Sequence, residues 1–251
     1  MIRFSPANTK IKELANVDGI RPYLVNRRVY SFDLLSGHTC PFAENCLSKV
    51  VETDGKRRIK DGPYTEFRCF SASQEVVYPS VYNLRNANFT ALRRKSQAEI
   101  EELITAHMPP DLGVCRIHVG GDFFSPIYFR AWVNVAAKNE DRLFYAYTKS
   151  LPYWVDNPPY SDNFVLTASW GGRMDKLINK HNLRSARVVY HPDVAKNWGL
   201  EIDHDDSHAA DPTKRGKDFA LLIHGIMPKG SEAAQAIKRL KKEDIKFSYS
   251  R

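Results

Sequence analysis

Short apolar runs alternate along the chain with polar segments in which apolar residues recur at helical spacing. Runs of this kind, ended by glycine or polar residues, are typical of strands that are buried on both faces of a parallel sheet. Six of them predict strands, at 28–35, 114–121, 143–150, 163–172, 185–191 and 218–225.

Helix signals fall between these runs. Ser96 and Glu99 have the spacing of a capping box, and the apolar residues that follow share one helical face. Ser125 and Pro126 predict the start of a second helix, and Ser231 that of the last one. Strands that alternate with helices indicate an α/β fold with mostly parallel strands. We expect a full or partial β/α barrel of the TIM type, with an open doubly wound sheet as the alternative.

Composition bounds the domain organisation. The chain has 251 residues, 43% of them hydrophobic, and we expect a single domain over 1–251. Two polar stretches interrupt it: a cysteine-bearing loop at 37–75 and an insertion at 199–217. No apolar run approaches the ~20 residues of a membrane span, which predicts no membrane partner. Four cysteines do not make a disulfide scaffold, so we expect a reducing cytoplasm. The net charge of +8 favours a polyanionic partner.

Three of the four cysteines crowd the region after the first predicted strand. Five residues separate Cys40 from Cys46, and twenty-two residues, most of them polar or charged, lie between Cys46 and Cys69. That stretch could loop out and return Cys69 to the other two thiols, which would make a metal site. Zinc would need a fourth ligand, with His38 nearest, whereas a [4Fe–4S] cluster on three cysteines leaves one iron open. Cys115 lies inside a predicted strand, and we expect it to be a core residue and not a metal ligand.

The ends of the predicted strands collect polar residues and glycines. Barrel enzymes place their sites on the loops after their strands. The candidate site residues there are Gly120, Gly121, Asp122, Lys149, Ser169, Gly171, Gly172, Arg173 and His224. Asp122 could bind a hydroxyl or amine, act as a base or attack as a nucleophile, and Lys149 and Arg173 could hold an anion. The simpler alternative is a set of turns and helix caps.

An acidic stretch, DHDDSH at 203–208, has two interpretations. Its carboxylates and imidazoles could bind a divalent ion. We favour an acidic surface loop, because no regular element is predicted to fix its geometry.

Three segments carry a resemblance to a known family. FDLLSGHTCPFAENC, RIHVGGDFFSPIYFRAW and LFYAYTKS, in this order, resemble the phage-encoded gene product 88 family over most of the chain. More distantly, cysteines after the first strand and a GG-acidic motif after the second resemble the radical S-adenosylmethionine (SAM) enzymes. That resemblance implies that Cys40, Cys46 and Cys69 hold a [4Fe–4S] cluster and that Gly120–Asp122 line a SAM site, although the cysteine spacing here is wider.

A second resemblance competes. GGDFFS and SWGGRMDKL are loosely similar to the base-pocket motifs of the deazaguanine DNA transglycosylases, β/α barrels that exchange a base through an aspartate nucleophile. That similarity implies a transferase with Asp122 as nucleophile. Those enzymes carry their structural zinc late in the chain, whereas these cysteines are early.

The expected function is therefore a phage-type iron–sulfur enzyme, similar to radical SAM enzymes, that modifies nucleic acid or a nucleotide. DNA is favoured over RNA, and the host cytoplasm is the expected location. Asp122 and Lys149 are the predicted catalytic residues, and the loops after the second and fourth strands, together with His224, are predicted to bind the cofactor. The alternatives are a DNA transglycosylase-like enzyme and a non-enzymatic, zinc-stabilised nucleic-acid-binding protein.

Overall fold

Most of the sheet consists of parallel strands arranged in the order in which they occur along the chain. The structure is a computed structural model that describes residues 1–246. The strands are β1 (Ser5–Pro6), β2 (Arg28–Phe32), β3 (Ser48–Thr53), β4 (Lys56–Asp61), β5 (Leu112–Ile117), β6 (Leu143–Thr148), β7 (Phe164–Ser169), β8 (Ser185–Val189), β9 (Glu201–Ile202) and β10 (Phe219–Leu222).

The eight-stranded sheet has the order β1-β2-β5-β6-β7-β8-β10-β9, and every pair in it is parallel except β1 with β2. β3 and β4 form a separate antiparallel hairpin. The fold is thus mixed α/β with a mostly parallel sheet, as predicted. A doubly wound sheet reverses its strand order at a switch point, and no such reversal occurs between β2 and β10.

Ten α-helices occur in residues 1–246. They are α1 (Thr9–Lys12), α2 (Phe70–Val77), α3 (Pro79–Leu92), α4 (Gln97–His107), α5 (Pro126–Ala137), α6 (Leu151–Asp156), α7 (Lys176–Lys180), α8 (Pro192–Asn197), α9 (Ser207–Ala210) and α10 (Glu232–Lys242). Short 3₁₀ helices occupy Glu13–Asn16, Arg21–Leu24 and Pro212–Lys214.

The predicted helix starts are confirmed by their caps. Ser96 and Glu99 form the complete capping box before α4. Ser125 accepts a hydrogen bond from the backbone of α5, and Ser231 does the same for α10. All six predicted strands are present, although each of them ends two to four residues earlier than predicted. The hairpin, α2 and α3 had no predicted counterpart.

Both faces of the sheet are covered by apolar residues. Cys115 and Phe144 belong to a cluster that packs on Trp132 of α5, while their strand neighbours Val114 and Tyr145 belong to a cluster on the opposite face. Successive residues of a strand point to opposite faces, so burial on both sides requires the continuous apolar runs seen in the sequence. Cys115 is core, as predicted.

The stretch at 199–217 is an ordered part of the structure. It contains β9, α9 and a 3₁₀ helix, and α9 contacts β6 and β7. The prediction of an acidic surface loop at 203–208 is wrong: Asp203 and Asp206 are buried, and His208 nearly so. Their carboxylates are compensated by buried cations and hydroxyl groups, which is how charge is tolerated inside a protein.

Within the described residues, the structure contains no helix with the length and apolar character needed to cross a membrane.

Candidate active site

A cavity of about 430 Å³ lies at the carboxyl ends of the parallel strands. Its wall brings together residues from the cysteine-bearing loop, from the ends of five strands and from the buried stretch around Asp206. The chemically active lining residues are Lys10, Cys40, Cys46, Cys69, Arg116, His118, Asp122, Lys149, Ser169, Asp206 and His224. This is the location expected for the active site of a parallel α/β enzyme.

A second groove, of about 590 Å³, lies near the amino end of β2. Its arginines are paired with aspartates: Arg21 with Asp18, Arg27 with Asp141 and Arg28 with Asp111. The chemistry therefore concentrates in the first cavity.

Cys40, Cys46 and Cys69 line the same cavity although twenty-two residues separate the last two. The predicted excursion between them is confirmed: it folds as the β3–β4 hairpin and returns the chain to its starting point. Burial raises the pKa of Cys40 well above its ordinary value, and Asp122 and the other two thiols raise it further. Burial, followed by the charge of Cys46, raises the pKa of Cys69 to about 11.

His38 and Cys115, the two residues that could have joined the thiols, lie elsewhere. His38 is exposed, and its Nε2 bonds the carbonyl of Val50 at 2.7 Å. Cys115 is packed in the apolar cluster around Trp132. In the part of the chain that the structure describes, no group of three or more His, Cys, Asp and Glu side chains has an arrangement that could hold a metal ion.

The glycines after β5 allow the two cysteine-bearing segments to approach the sheet. A Cβ on Gly120 would lie 2.2 Å from Oγ of Ser71 in α2, which begins directly after Cys69. A Cβ on Gly121, where φ is +90°, would lie 2.6 Å from Oγ1 of Thr39, next to Cys40. Gly121 also lines the cavity, whereas Gly120 lies behind its wall.

The glycines after β7 form backbone contacts with the loop between Cys40 and Cys46. The carbonyl of Gly171 accepts hydrogen bonds from Glu44 and Asn45 at 3.3 and 3.0 Å. Gly172 forms a bridge with Ala43, and the N–H of Arg173 donates to the carbonyl of Phe42 at 2.9 Å. These three residues, predicted to bind a cofactor, thus contact the cysteine loop directly and do not line the cavity.

Asp122 is buried, and hydrogen bonds orient its carboxylate. Oδ1 accepts from Thr148 Oγ1 at 2.6 Å and from the N–H of Phe123 at 2.7 Å, and Oδ2 accepts from the N–H of Lys149 at 2.8 Å. Burial raises the pKa of Asp122 to about 6, while these hydrogen bonds oppose the rise. The carboxylate is therefore mostly ionised at pH 7.

The ammonium of Lys149 points to the end of β7. It donates to Ser169 Oγ at 2.6 Å and to the carbonyls of Ser169 and Trp170 at 3.2 and 2.6 Å. Ser169 and Lys149 both line the cavity, as does His224, which follows β10. His224 packs against Phe70 with ring centroids 4.9 Å apart.

His118 follows β5 and lines the cavity, and the sequence interpretation missed it. Its backbone has φ of +86°, which is costly outside glycine, and its side chain is buried. Nε2 pairs with the hydroxyl of Tyr128 at 2.9 Å, and Nδ1 has no partner among residues 1–246. Burial and then Arg116 lower the pKa of His118 to about 3, so the imidazole is neutral. A histidine two residues before the GG motif was the available signal.

A charged cluster around Asp206 forms another part of the cavity wall. Asp206 pairs with Lys10 at 2.6 Å and with Arg116 at 2.5 Å, and it accepts hydrogen bonds from Tyr145 and Tyr147. Burial alone would raise the pKa of Asp206, but the two cations outweigh it and lower that pKa to about 2. Sequence reasoning missed this cluster, because its members come from four distant segments.

Comparison with known proteins gives a family and phage relatives. The family model described as Gene product 88 matches residues 4–243, which confirms the first resemblance. The Gene 88 proteins of Mycobacterium phages L5 and D29 are each 31% identical over 90 residues, or 32% of this chain and 38% of the relative. The chain thus spans well under half the length of these curated relatives. No solved structure matches.

Proposed function

This chain belongs to the gene product 88 family, and we propose that it is an iron–sulfur enzyme that uses SAM to modify nucleic acid or a nucleotide. The observation that carries the proposal is the convergence of three thiols and a buried carboxylate in one cavity at the carboxyl ends of parallel strands. The radical SAM resemblance supplies the type of chemistry.

The sheet supports a partial β/α barrel as the scaffold. Six mutually parallel strands, β2, β5, β6, β7, β8 and β10, are neighbours in chain order. When successive strands are added at the same edge of a sheet through right-handed crossovers, the helices lie on one face of the sheet. The sheet then curves around its other face. The cavity would then lie at the mouth of the barrel, where Lys10, Arg116 and Asp206 face it from within.

The three cavity thiols of residues 1–246 do not stand in a metal-binding arrangement, so the choice of metal rests on the types of donor, which favour an iron–sulfur cluster over zinc. Three thiols meet at the cavity, while His38 is exposed and Cys115 is core, so a tetrahedral zinc site would lack its fourth protein ligand. Three cysteines suit a cluster with one open iron. The raised pKa values of Cys40 and Cys69 describe free thiols, and a bound metal would displace their protons. A bound cluster would supply the electron that cleaves SAM.

Asp122 has the geometry to bind an ammonium group. A carboxylate offers about four lone-pair positions, and three are used by Thr148, Phe123 and Lys149. One position on Oδ2 remains for the amino group of a cofactor. The fixed hydrogen bonds orient Asp122 before the ligand arrives, which lowers the entropic cost of binding.

The charged part of the wall suits an anionic substrate. Arg116 and Lys10 place two cations beside the cavity, and Nε of Arg116 is buried without a partner among residues 1–246. Arg116 also lies over the ring of Tyr147, 5.1 Å from its centroid. A phosphate or carboxylate at this wall would find donors and an aromatic surface together.

Anaerobic purification with iron and sulfide analysis tests the proposal. We expect a brown protein with broad visible absorbance and about four irons per chain, and reductant-dependent cleavage of added SAM. A colourless protein with about one zinc per chain would refute it. That result would favour a zinc-stabilised nucleic-acid-binding protein, or base exchange at Asp122 if nucleobase incorporation into DNA were detected.

A further inference from the structure

The hairpin between Cys46 and Cys69 has a face that carries positive charges without a carboxylate. Its register pairs Lys49 with Lys60, Val51 with Arg58 and Thr53 with Lys56. Because strand residues alternate between faces, all six side chains lie on the same side. We call the four cations Lys49, Lys56, Arg58 and Lys60 the hairpin cations.

The opposite side of the hairpin is the one that packs on the protein. Val50 is buried and pairs with Ile59, and Arg57 lies over the ring of Tyr82 in α3. The acidic strand residues, Glu52 and Asp61, are also on this side. The hairpin cations are therefore directed to solvent, and three of them are exposed and Lys49 half-buried.

Repulsion between the hairpin cations destabilises the hairpin when no partner is bound. Lys49 and Lys60 are directly opposite each other, and like charges in that position destabilise a hairpin. None of the hairpin cations forms an ion pair with a carboxylate of residues 1–246. An external anion would relieve the repulsion, so the missing counter-charge indicates a partner.

The base of the hairpin lies at the rim of the cavity. The N–H of Cys69 donates to Ser48 Oγ at 3.4 Å, and Arg68 Nε donates to Asp61 at 3.0 Å. Arg68 and Cys69 themselves line the cavity. A ligand held along the hairpin would therefore pass close to the candidate active site.

We propose that the hairpin cations bind the phosphate backbone of a polynucleotide and lead it across the rim of the cavity. Lys56, Arg58 and Lys60 recur at every second residue, about 7 Å apart along the strand. A row of separated cations matches an extended polyanion, whereas one compact phosphate would need converging donors. The inference rests on the proposed function and deepens it, since the substrate becomes a polymer and not a free nucleotide.

Fluorescence anisotropy with a labelled single-stranded DNA oligonucleotide tests this assignment. The variant replaces three hairpin cations, Lys56→Gln, Arg58→Gln and Lys60→Gln. Its matched control removes the same charge from the exposed face of α10, through Lys238→Gln, Lys241→Gln and Lys242→Gln. All six side chains are solvent-exposed, so both variants should fold, which circular dichroism checks.

We expect the hairpin variant to lose about tenfold or more in affinity at low salt. The slope of log K against log salt should fall by about 2, because each lost contact to single-stranded DNA removes about 0.7. The α10 variant should keep the slope of the unmodified protein. Equal losses in both variants, or none in either, would overturn the proposal. So would hairpin-dependent binding to phosphatidylserine vesicles without binding to the oligonucleotide.

Oligonucleotide binding at the hairpin does not depend on the cluster, so the two proposals fail separately. Hairpin-dependent binding by a protein without iron would refute the proposed enzyme and leave the inference intact. An iron-loaded protein that binds DNA independently of the hairpin would support the proposed enzyme and refute the inference about the hairpin cations.

Discussion

The backbone N–H of Lys149 donates to the carboxylate of Asp122 at 2.8 Å, whereas the ammonium of the same lysine is turned away to the end of β7. One residue thus joins three neighbouring strand ends. Its backbone orients the carboxylate after β5, and its side chain fixes the loop that carries Gly171 and Gly172.

Lys149→Met should therefore act first on stability. It leaves the hydrogen bond to Asp122 intact but removes the donor for the oxygens of Ser169 and Trp170. Hydrogen bonds to a charged group contribute about 1.5–3 kcal/mol, and we expect a loss in that range by urea unfolding. Lys180→Met, on the exposed end of α7, is the control. A variant that unfolds like the unmodified protein yet loses turnover would instead support the predicted catalytic role of Lys149.

Single replacement of the three cavity thiols should abolish metal loading. Cys40→Ser, Cys46→Ser and Cys69→Ser each remove one ligand of the proposed cluster, and we expect roughly a quarter or less of the iron of the unmodified protein after anaerobic reconstitution. Cys115→Ala is the matched control, because that thiol lies in the apolar core. Iron loss in Cys115→Ala with an unchanged circular dichroism spectrum would contradict the assignment.

Gly120→Ala should displace Cys69, although the added methyl group does not contact that thiol. The added methyl group would lie 2.2 Å from Ser71 Oγ and 2.6 Å from Cζ of the buried Arg85, so these side chains, or the helices α2 and α3 that carry them, must shift. Overpacking of this kind costs about 1–3 kcal/mol, and the displacement of Cys69 should also lower iron content. Gly216→Ala, which meets open space, should change neither quantity. Normal iron content in a destabilised Gly120→Ala protein would show that the position of α2 does not affect the proposed metal site.

Asp206 should make stability depend on acid pH. Its pKa in the folded protein is about 2, below the ordinary value of 3.8. A depressed carboxyl pKa stabilises the fold above the unfolded value, and this contribution is lost as the pH falls from about 4 towards 2. The shift corresponds to about 2 kcal/mol, since one pKa unit is about 1.4 kcal/mol.

Urea unfolding between neutral and acid pH measures this contribution. Asp206→Asn should lower stability at pH 7 by about 3–5 kcal/mol, because Arg116 and Lys10 lose their shared partner, and it should flatten the acid limb. Asp18→Asn, at an exposed pair with Arg21, should have little effect. An unchanged acid limb in Asp206→Asn would show that the buried pair does not control acid unfolding.

The sequence was informative where the signals are local. The six strands and the helix starts at Ser96, Ser125 and Ser231 follow from periodicity and capping, which involve residues close in the chain. The return of Cys69 to Cys40 and Cys46 was also predictable, because a polar, glycine-containing stretch between clustered cysteines is typical of an excursion that returns the chain.

The rest depends on contacts between distant segments. Asp206, Lys10 and Arg116 belong to three parts of the chain, and nothing near Asp206 in sequence shows that cations will meet it. For the same reason the buried stretch at 203–208 read as a surface loop. The close approach of α2 to Gly120 had no local signal either, since α2 itself was not predicted.

The hairpin also makes the distance between Cys46 and Cys69 in sequence unimportant for their distance in space. The N–H of Gly62 donates to the carbonyl of Leu47 at 2.7 Å, and Ser48 pairs with Asp61, so the excursion is closed at its base. Strand pairs added or removed in register beyond this closure would therefore leave the two cysteines in their places. The length of the hairpin is thus independent of the positions of the cysteines at its base. A compact cysteine motif in the sequence is therefore not needed to bring these thiols to one cavity.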